Sequence, residues 1–243
     1  METQKETFAE KVTDQKHSRR RFLKLSTGVG TGMALGCMGF AVRGQQDQHP
    51  GNDFTFFDIV NNRRSVRKFK STPVPEDHVT IILDAARLAP TAGNRQPWKF
   101  LVVRDREKLN QLKEKCIKKR EEILKERGEE VPPERAASLK QHFEDYLSAP
   151  VYILVLTDNT AQYPQYNDKD GSLAAGYLIL AARALGYGTV FCTDSIPEEL
   201  CKEVFGIPDN YTRTCIVPVG VPYEWPESPQ KKTLEELVVY EGF

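Results

Sequence analysis

What this chain of 243 residues lacks narrows its function first. It holds four His and five Cys (Cys37, Cys116, Cys192, Cys201 and Cys215), and no two cysteines stand in a CxxC pair. The ligand spacing of a structural metal site is therefore missing, and no metal is expected. A disulfide among the last three cysteines stays open on sequence alone, beside the plainer reading of buried apolar thiols. An excess of one charge is also missing: 34 Lys plus Arg balance 34 Asp plus Glu. That balance argues against a nucleic-acid coat or a polyanion binder, while leaving room for a local basic patch. Neither an internal repeat nor a low-complexity tract interrupts the chain. With 40% apolar and 28% charged residues, what remains is an ordinary globular composition, long enough for one large domain.

The first fifty residues read as an address. Ser18-Arg19-Arg20-Arg21-Phe22-Leu23-Lys24 precedes an uncharged run from Leu25 to Val42 that contains five glycines. This is the pattern of a twin-arginine export signal, a paired-Arg region followed by a weakly apolar stretch. A membrane span of that length usually carries fewer glycines and more Leu, Ile and Val. A cytosolic basic helix and an uncleaved anchor are the other readings. Ala34-Leu35-Gly36-Cys37 loosely resembles a lipobox, which would lipidate Cys37. Residues 1–52 are accordingly read as signal and linker, and 53–243 as the folded domain.

Within that domain, helical and strand patterns alternate. Short helices are expected at Phe54 to Asn62 and at Pro75 to Leu88, where Val79, Ile82, Leu83 and Ala86 recur at helical spacing. Trp98 to Val103 is a compact apolar run and a strand. A charged surface helix from Glu107 to Glu130 carries a thin stripe of Leu109, Leu112, Cys116, Ile117 and Leu124. Pro132-Pro133 ends it before a helix from Glu134 to Leu147. Val151 to Leu156 reads as a strand buried on both faces. Gly171 to Leu185 has no charge until Arg183 and reads as a helix buried nearly all round. Strands follow at Thr189 to Cys192 and Thr214 to Val219, with a capping-box helix opening at Ser195 to Glu198 between them. The sum is an α/β or α+β sandwich, and the apolar surplus on its central helix and tail suggests self-association.

Two stretches carry chemistry. Arg63-Arg64-Ser65-Val66-Arg67 places three guanidinium groups and a hydroxyl within five residues. A phosphate monoester carries close to two negative charges, and the planar guanidinium fork donates to it in pairs. By itself the cluster also suits a plain basic surface. The second stretch, Ala89-Pro90-Thr91-Ala92-Gly93-Asn94-Arg95-Gln96-Pro97-Trp98, is a helix-to-strand loop. Its small residues allow close backbone approach to a flat ring, and Asn94 and Gln96 each offer a donor and an acceptor. Alone it is equally a turn-rich linker.

Together the two stretches resemble the nitroreductase family. The likeness continues through Ala149-Pro150 and its strand, the small-residue helix ending Ala184-Leu185-Gly186-Tyr187-Gly188, and the closing Leu234-Glu235-Glu236-Leu237. It spans Phe54 to Phe243. The resemblance implies a central, mainly antiparallel sheet flanked by helices, and an intertwined homodimer with two FMN sites at the subunit interface. Arg63 and Ser65, with Arg64, would meet the phosphate and ribityl chain. Arg67 would reach the pyrimidine side of the ring and Asn94 its edge. Pro90, Thr91 and Ala92 would come from the partner subunit. Phe191, Cys192 and Thr193 would set backbone against the N5 and O4 edge. Lys231 or Lys232 would supply the second phosphate contact.

The implied chemistry is two-electron reduction of a small flat acceptor, a nitroaromatic or a quinone, by ping-pong turnover. No side-chain acid–base pair is visible, and flavin chemistry requires none. Arg67 would act as a fixed cation that stabilises the reduced ring and raises its potential. The Glu107 to Leu147 insertion is placed to form a lid that sets substrate choice. A non-catalytic flavin carrier or sensor is one alternative. Reductive dehalogenation or flavin breakdown is another, within the same family. Export would also separate the enzyme from cytoplasmic NAD(P)H, so its donor would then be a membrane quinol or a cytochrome.

Overall fold

The computed structural model describes residues 54–129 and 131–242. The export signal, the linker and Cys37 lie outside these residues.

Strand β1 (Trp98–Val103), β2 (Val151–Asp158), β3 (Gly188–Thr189) and β4 (Tyr211–Gly220) form one sheet in the order β1-β2-β4-β3, and every neighbouring pair is antiparallel. The continuous apolar run Val151 to Leu156 is central because a strand buried on both faces needs no polar alternation. Period-two geometry splits it between two layers. Val151, Ile153 and Val155 pack with α2 (Glu76–Ala86) and α5 (Asn167–Ala184). Tyr152, Leu154 and Leu156 pack instead with α3 (Arg106–Glu126), α4 (Pro133–Tyr146) and α6 (Glu198–Phe205). The result is a helix–sheet–helix sandwich.

Local chemistry fixes the ends of the elements. Helix α1 (Phe56–Asn62) is opened by a capping box in which Thr55 and Asp58 each accept the other's backbone N–H. The Asp105 side chain caps α3 by accepting from the N–H groups of Glu107 and Lys108. Pro133 occupies the first turn of α4, where a missing N–H costs nothing. The helical stripe read from the sequence turns inward, with Leu109, Leu112, Cys116 and Leu124 buried.

Three expectations are corrected. The central helix α5 begins at Asn167, four residues before Gly171, and is not buried all round: Leu173 and Tyr177 are 45% and 43% exposed. They sit four residues apart and so share one uncovered face. The Ser195 to Glu198 stretch does precede a helix, but Pro197 occupies the N-cap and makes no side-chain cap bond. The Glu198 carboxylate instead accepts the backbone N–H of Arg213 at 3.1 Å. A second capping box stands at Thr233 and Glu236, opening the short tail helix α7 (Leu234–Leu237). Finally, the expected strand Thr189 to Cys192 is interrupted. β3 ends at Thr189, and Cys192 rejoins the sheet only as an isolated bridge to Ile216.

The chain after α1 runs along the β3 side of the sheet. Ser65 bridges Thr189 in parallel, with the Val66 N–H donating to the Thr189 carbonyl at 2.9 Å. The Lys70 N–H reaches the Val221 carbonyl, and the Tyr223 N–H reaches that of Lys68. Backbone pairing therefore sets the arginine cluster beside Thr189.

Candidate functional site

A cleft of about 570 Å³ opens at this edge. Arg63, Arg64, Ser65 and Arg67 form one wall. The other is the tail segment Pro226 to Pro229, with Lys231 at its end. Four cations thus face one carboxylate in the cleft, that of Glu227. Lys232 does not line it.

The arginines are not equivalent. Arg64 turns one nitrogen back on the end of α1, donating to the carbonyls of Asn61 (2.7 Å) and Arg63 (2.9 Å). It satisfies acceptors that every helix C-terminus leaves open. Arg67 makes one long bond to the Ser65 carbonyl, at 3.4 Å. The Arg63 guanidinium makes no hydrogen bond or ion pair among the described residues, so its whole fork is available. Behind the cleft, the Arg183 guanidinium stacks 4.2 Å from the Trp225 ring and 5.4 Å from that of Phe54. This ties the tail to α5 just before the Pro226 turn. Burial, followed by the charge of Arg64, lowers the pKa of Arg183 from its ordinary value.

The loop Ala89 to Pro97 is built separately and contributes nothing to this cleft within one chain. Gly93, Asn94 and Gln96 all take left-handed backbone angles (φ +56°, +55° and +50°). For Gln96 that conformation costs energy, so other contacts must hold it. The Gln96 N–H donates to Thr91 Oγ1 at 3.1 Å, and the Gln96 side-chain amide donates to the Asn94 backbone and side-chain oxygens at 3.3 Å. The buried Asp170 carboxylate accepts the Ala92 N–H. Asn94 itself is exposed. Strain concentrated in a surface loop and held by a buried carboxylate points to a binding role.

The Phe191 to Thr193 segment does not line the arginine cleft. Both backbone groups of Cys192 pair with Ile216, at 3.3 and 2.9 Å. Its neighbours alternate away from the sheet, and the N–H groups of Phe191 and Thr193 have no acceptor among the described residues. Phe191 is 40% exposed while Cys192 is buried. Beside them lies a second cleft of about 500 Å³, between α3, α4 and Asp194-Ser195. Leu139, Phe143 and His142 form its α4 side, and Arg120 and Leu124 its α3 side. The α3–α4 pair is no loose flap, since Cys116, Phe143 and Tyr146 are core residues. Burial raises the Tyr146 hydroxyl pKa, with Cys192 the next cause. All four cysteines among the described residues are free and buried.

Three features of this site escape a sequence reading. Asp170 looks like one acid among several in a loop ahead of a helix. Pro226 to Pro229 looks like a linker. Arg213 is the clearest signal missed: a single charge entering an otherwise buried strand.

An α/β sandwich with a roomy cationic cleft on its sheet edge has the architecture of a nucleotide-type cofactor binder. The chain belongs to the nitroreductase family, whose profile matches residues 60–221. It is 33% identical over 174 residues (70% of this chain, 78% of the relative) to a Methanothermobacter thermautotrophicus protein named "Putative NADH dehydrogenase/NAD(P)H nitroreductase". It is 30% identical over 190 residues (77% of this chain, 98% of the relative) to the iodotyrosine deiodinase of Thermotoga neapolitana. Among solved structures it resembles an iodotyrosine deiodinase bound to FMN and 3-iodo-L-tyrosine, at TM-score 0.60 and 28% identity, covering 78% of this chain and 100% of that one. A BluB-like flavoprotein from Clostridium difficile 630 superposes at TM-score 0.63 and 26% identity, covering 78% of this chain and 100% of that one.

Proposed function

We propose that this chain is an FMN-dependent oxidoreductase that passes electron pairs to a small flat acceptor, a nitroaromatic or a quinone. The observation that carries the reading is the cleft where Arg63, Arg64, Ser65, Arg67 and Lys231 converge. Its donor set fits a dianionic phosphate: the fork of Arg63 is free, Ser65 adds a hydroxyl, and Lys231 closes the opposite wall. The unpaired N–H groups of Phe191 and Thr193 fit the acceptor edge of a flavin ring. FMN, when bound, supplies the two-electron chemistry.

The chain's own residues then have separable tasks. Arg63 and Lys231 hold the phosphate. Arg67, exposed beside Ser65, offers a fixed positive charge that favours the reduced, more negative ring. The second cleft, next to Asp194-Ser195, receives the acceptor and limits its access to water. Pro90, Thr91 and Ala92 line no part of the phosphate cleft of their own chain, which suits delivery to a second copy. The uncovered Leu173–Tyr177 face of α5 and the exposed Leu234 and Leu237 of the tail support a homodimer in which such an exchange occurs. The paired arginines and weakly apolar run of the first fifty residues favour twin-arginine export, with a quinol or cytochrome as donor in place of NAD(P)H.

Reductive dehalogenation is the second reading, favoured by the likeness to iodotyrosine deiodinases. One experiment separates the two. The full chain is reconstituted with FMN, checked for flavin absorbance, reduced with dithionite, and mixed with a nitroaromatic, a benzoquinone or 3-iodotyrosine. Fast reoxidation by the first two alone supports the main reading. Iodide release at a comparable rate supports the second. A chain that stays colourless overturns both.

A further inference from the structure

Arg213 enters the sandwich through an irregularity in β4. Val155 pairs with Cys215 and Leu156 with Arg213, so Thr214 is an extra residue in the ladder. Such a bulge reverses the facing of every residue beyond it. Without it, Arg213 would share the face of Cys215 and Val217, against α5. With it, Arg213 lies on the face of Ile216 and Leu156, beneath the Phe191 to Ile196 segment. Thr214 Oγ1 is buried in the bulge with no hydrogen-bond partner among the described residues.

Arg213 is 8% exposed, and its guanidinium has no carboxylate in ion-pair contact among the described residues. Glu198, its near neighbour, spends its carboxylate on the Arg213 backbone N–H and on Lys202, at 3.6 Å. Instead, one terminal nitrogen donates to two carbonyls, Thr193 and Ile196, each at 2.7 Å, and the other donates to Cys201 Sγ at 3.2 Å. Nε has no partner. Burying an uncompensated cation is expensive, and two carbonyl dipoles offset only part of that cost. What the arrangement achieves is geometric: both ends of the Thr193 to Ile196 turn are tied to a rigid strand.

We propose that Arg213 is a positioning residue that fixes the Phe191 to Ser195 segment so that its free N–H groups meet the ring of the bound flavin. The proposal rests on the flavin reading above. It separates the ring end of the site, governed by Arg213, from the phosphate end, governed by Arg63.

The test measures binding of FMN and of riboflavin, which has the ring without the phosphate, to the full chain and its R213K, R213M and R63A variants. Backbone hydrogen exchange across Phe191 to Ser195 is followed in parallel. Loss of two charge-assisted bonds should raise both flavin dissociation constants in R213M by the same factor, about tenfold or more. R63A should weaken FMN and leave riboflavin unchanged. R213K, a point charge that cannot fork, should fall between wild type and R213M, and it carries the test if R213M fails to fold. Exchange should quicken in the segment before it quickens elsewhere. Arg213 variants that bind both flavins like wild type, or that lose FMN affinity alone, overturn the proposal. A wild-type chain that binds neither flavin overturns the flavin reading itself.

Discussion

The carboxylate of Asp170, in the first turn of α5, accepts the Ala92 N–H with both oxygens, at 3.2 and 3.3 Å. This contact joins the central helix to the strained loop. Replacing Asp170 with Ala leaves a half-buried N–H unpaired and should cost about 1–2 kcal/mol. Asp170→Asn retains one acceptor and should cost less. Thermal unfolding gives the magnitudes, and limited proteolysis within Pro90 to Gln96 should show the loop opening first in the Ala variant. Equal, wild-type behaviour of both variants would deny the contact its role.

Arg67→Ala should keep the fold, since its side chain makes only one long bond. Removing the cation proposed to lie beside the ring should weaken FMN retention by about tenfold, lower the flavin potential, or both. Equilibrium dialysis and a dye-coupled redox titration read the two effects. Unchanged values in both would remove Arg67 from the site.

Glycine inside a helix is ordinarily worse than alanine by about 1 kcal/mol. Gly171 should show the opposite sign. A Cβ there would stand 2.2 Å from Thr214 Oγ1 and 3.1 Å from the Thr157 methyl. Overpacking of this kind costs about 1–3 kcal/mol, enough to reverse the helical gain. Gly171→Ala should therefore lower the thermal midpoint.

Burial pushes the thiols of Cys116 and Cys215 from the ordinary 9.0 up to about 12, and that of Cys201 up to about 11. A group whose pKa is raised on folding stabilises the native state fully below its unfolded value and loses that contribution above it. The thermal midpoint should therefore hold steady to about pH 8.5 and decline from pH 9 toward 12. Replacing Cys215 with Ala should flatten part of that decline. A midpoint that rises in this window would show the thiols to be ionised in the fold.

Leu173→Glu combined with Tyr177→Glu places two charges on the uncovered face of α5. The double variant should sediment as a monomer and lose FMN with its dimer, while each chain keeps its secondary structure. Retention of a full dimer would move the interface elsewhere.

The contrast between β2 and Arg213 shows how far the sequence could be read. Val151 to Leu156 announces a buried strand from six consecutive apolar residues, and the two-residue pleat of a strand then divides them between two faces. The helices were equally legible because their apolar positions recur at 3.6-residue spacing. The arginine cluster and the small-residue loop were legible as chemistry, since donor geometry follows from residue type. Arg213 was not, because its facing depends on one extra residue in a ladder, and registry is a property of two strands. Asp170 escaped for the same reason: its partner lies 78 positions away. The start of α5 was placed late because Asp168, Lys169 and Asp170 look like loop until Asn167 and Asp170 are seen buried.

Only two tryptophans occur in the chain, and the fold has sorted them. Trp98 is buried against Phe100, with ring centroids 6.3 Å apart. Trp225, 42% exposed, stacks on Arg183 directly ahead of the Pro226 to Lys231 wall. Indole emission overlaps flavin absorption, so a flavin seated in the cleft should quench Trp225 more than Trp98. The molecule thus carries an optical gauge and its internal reference, and a Trp225→Phe variant would leave the reference alone.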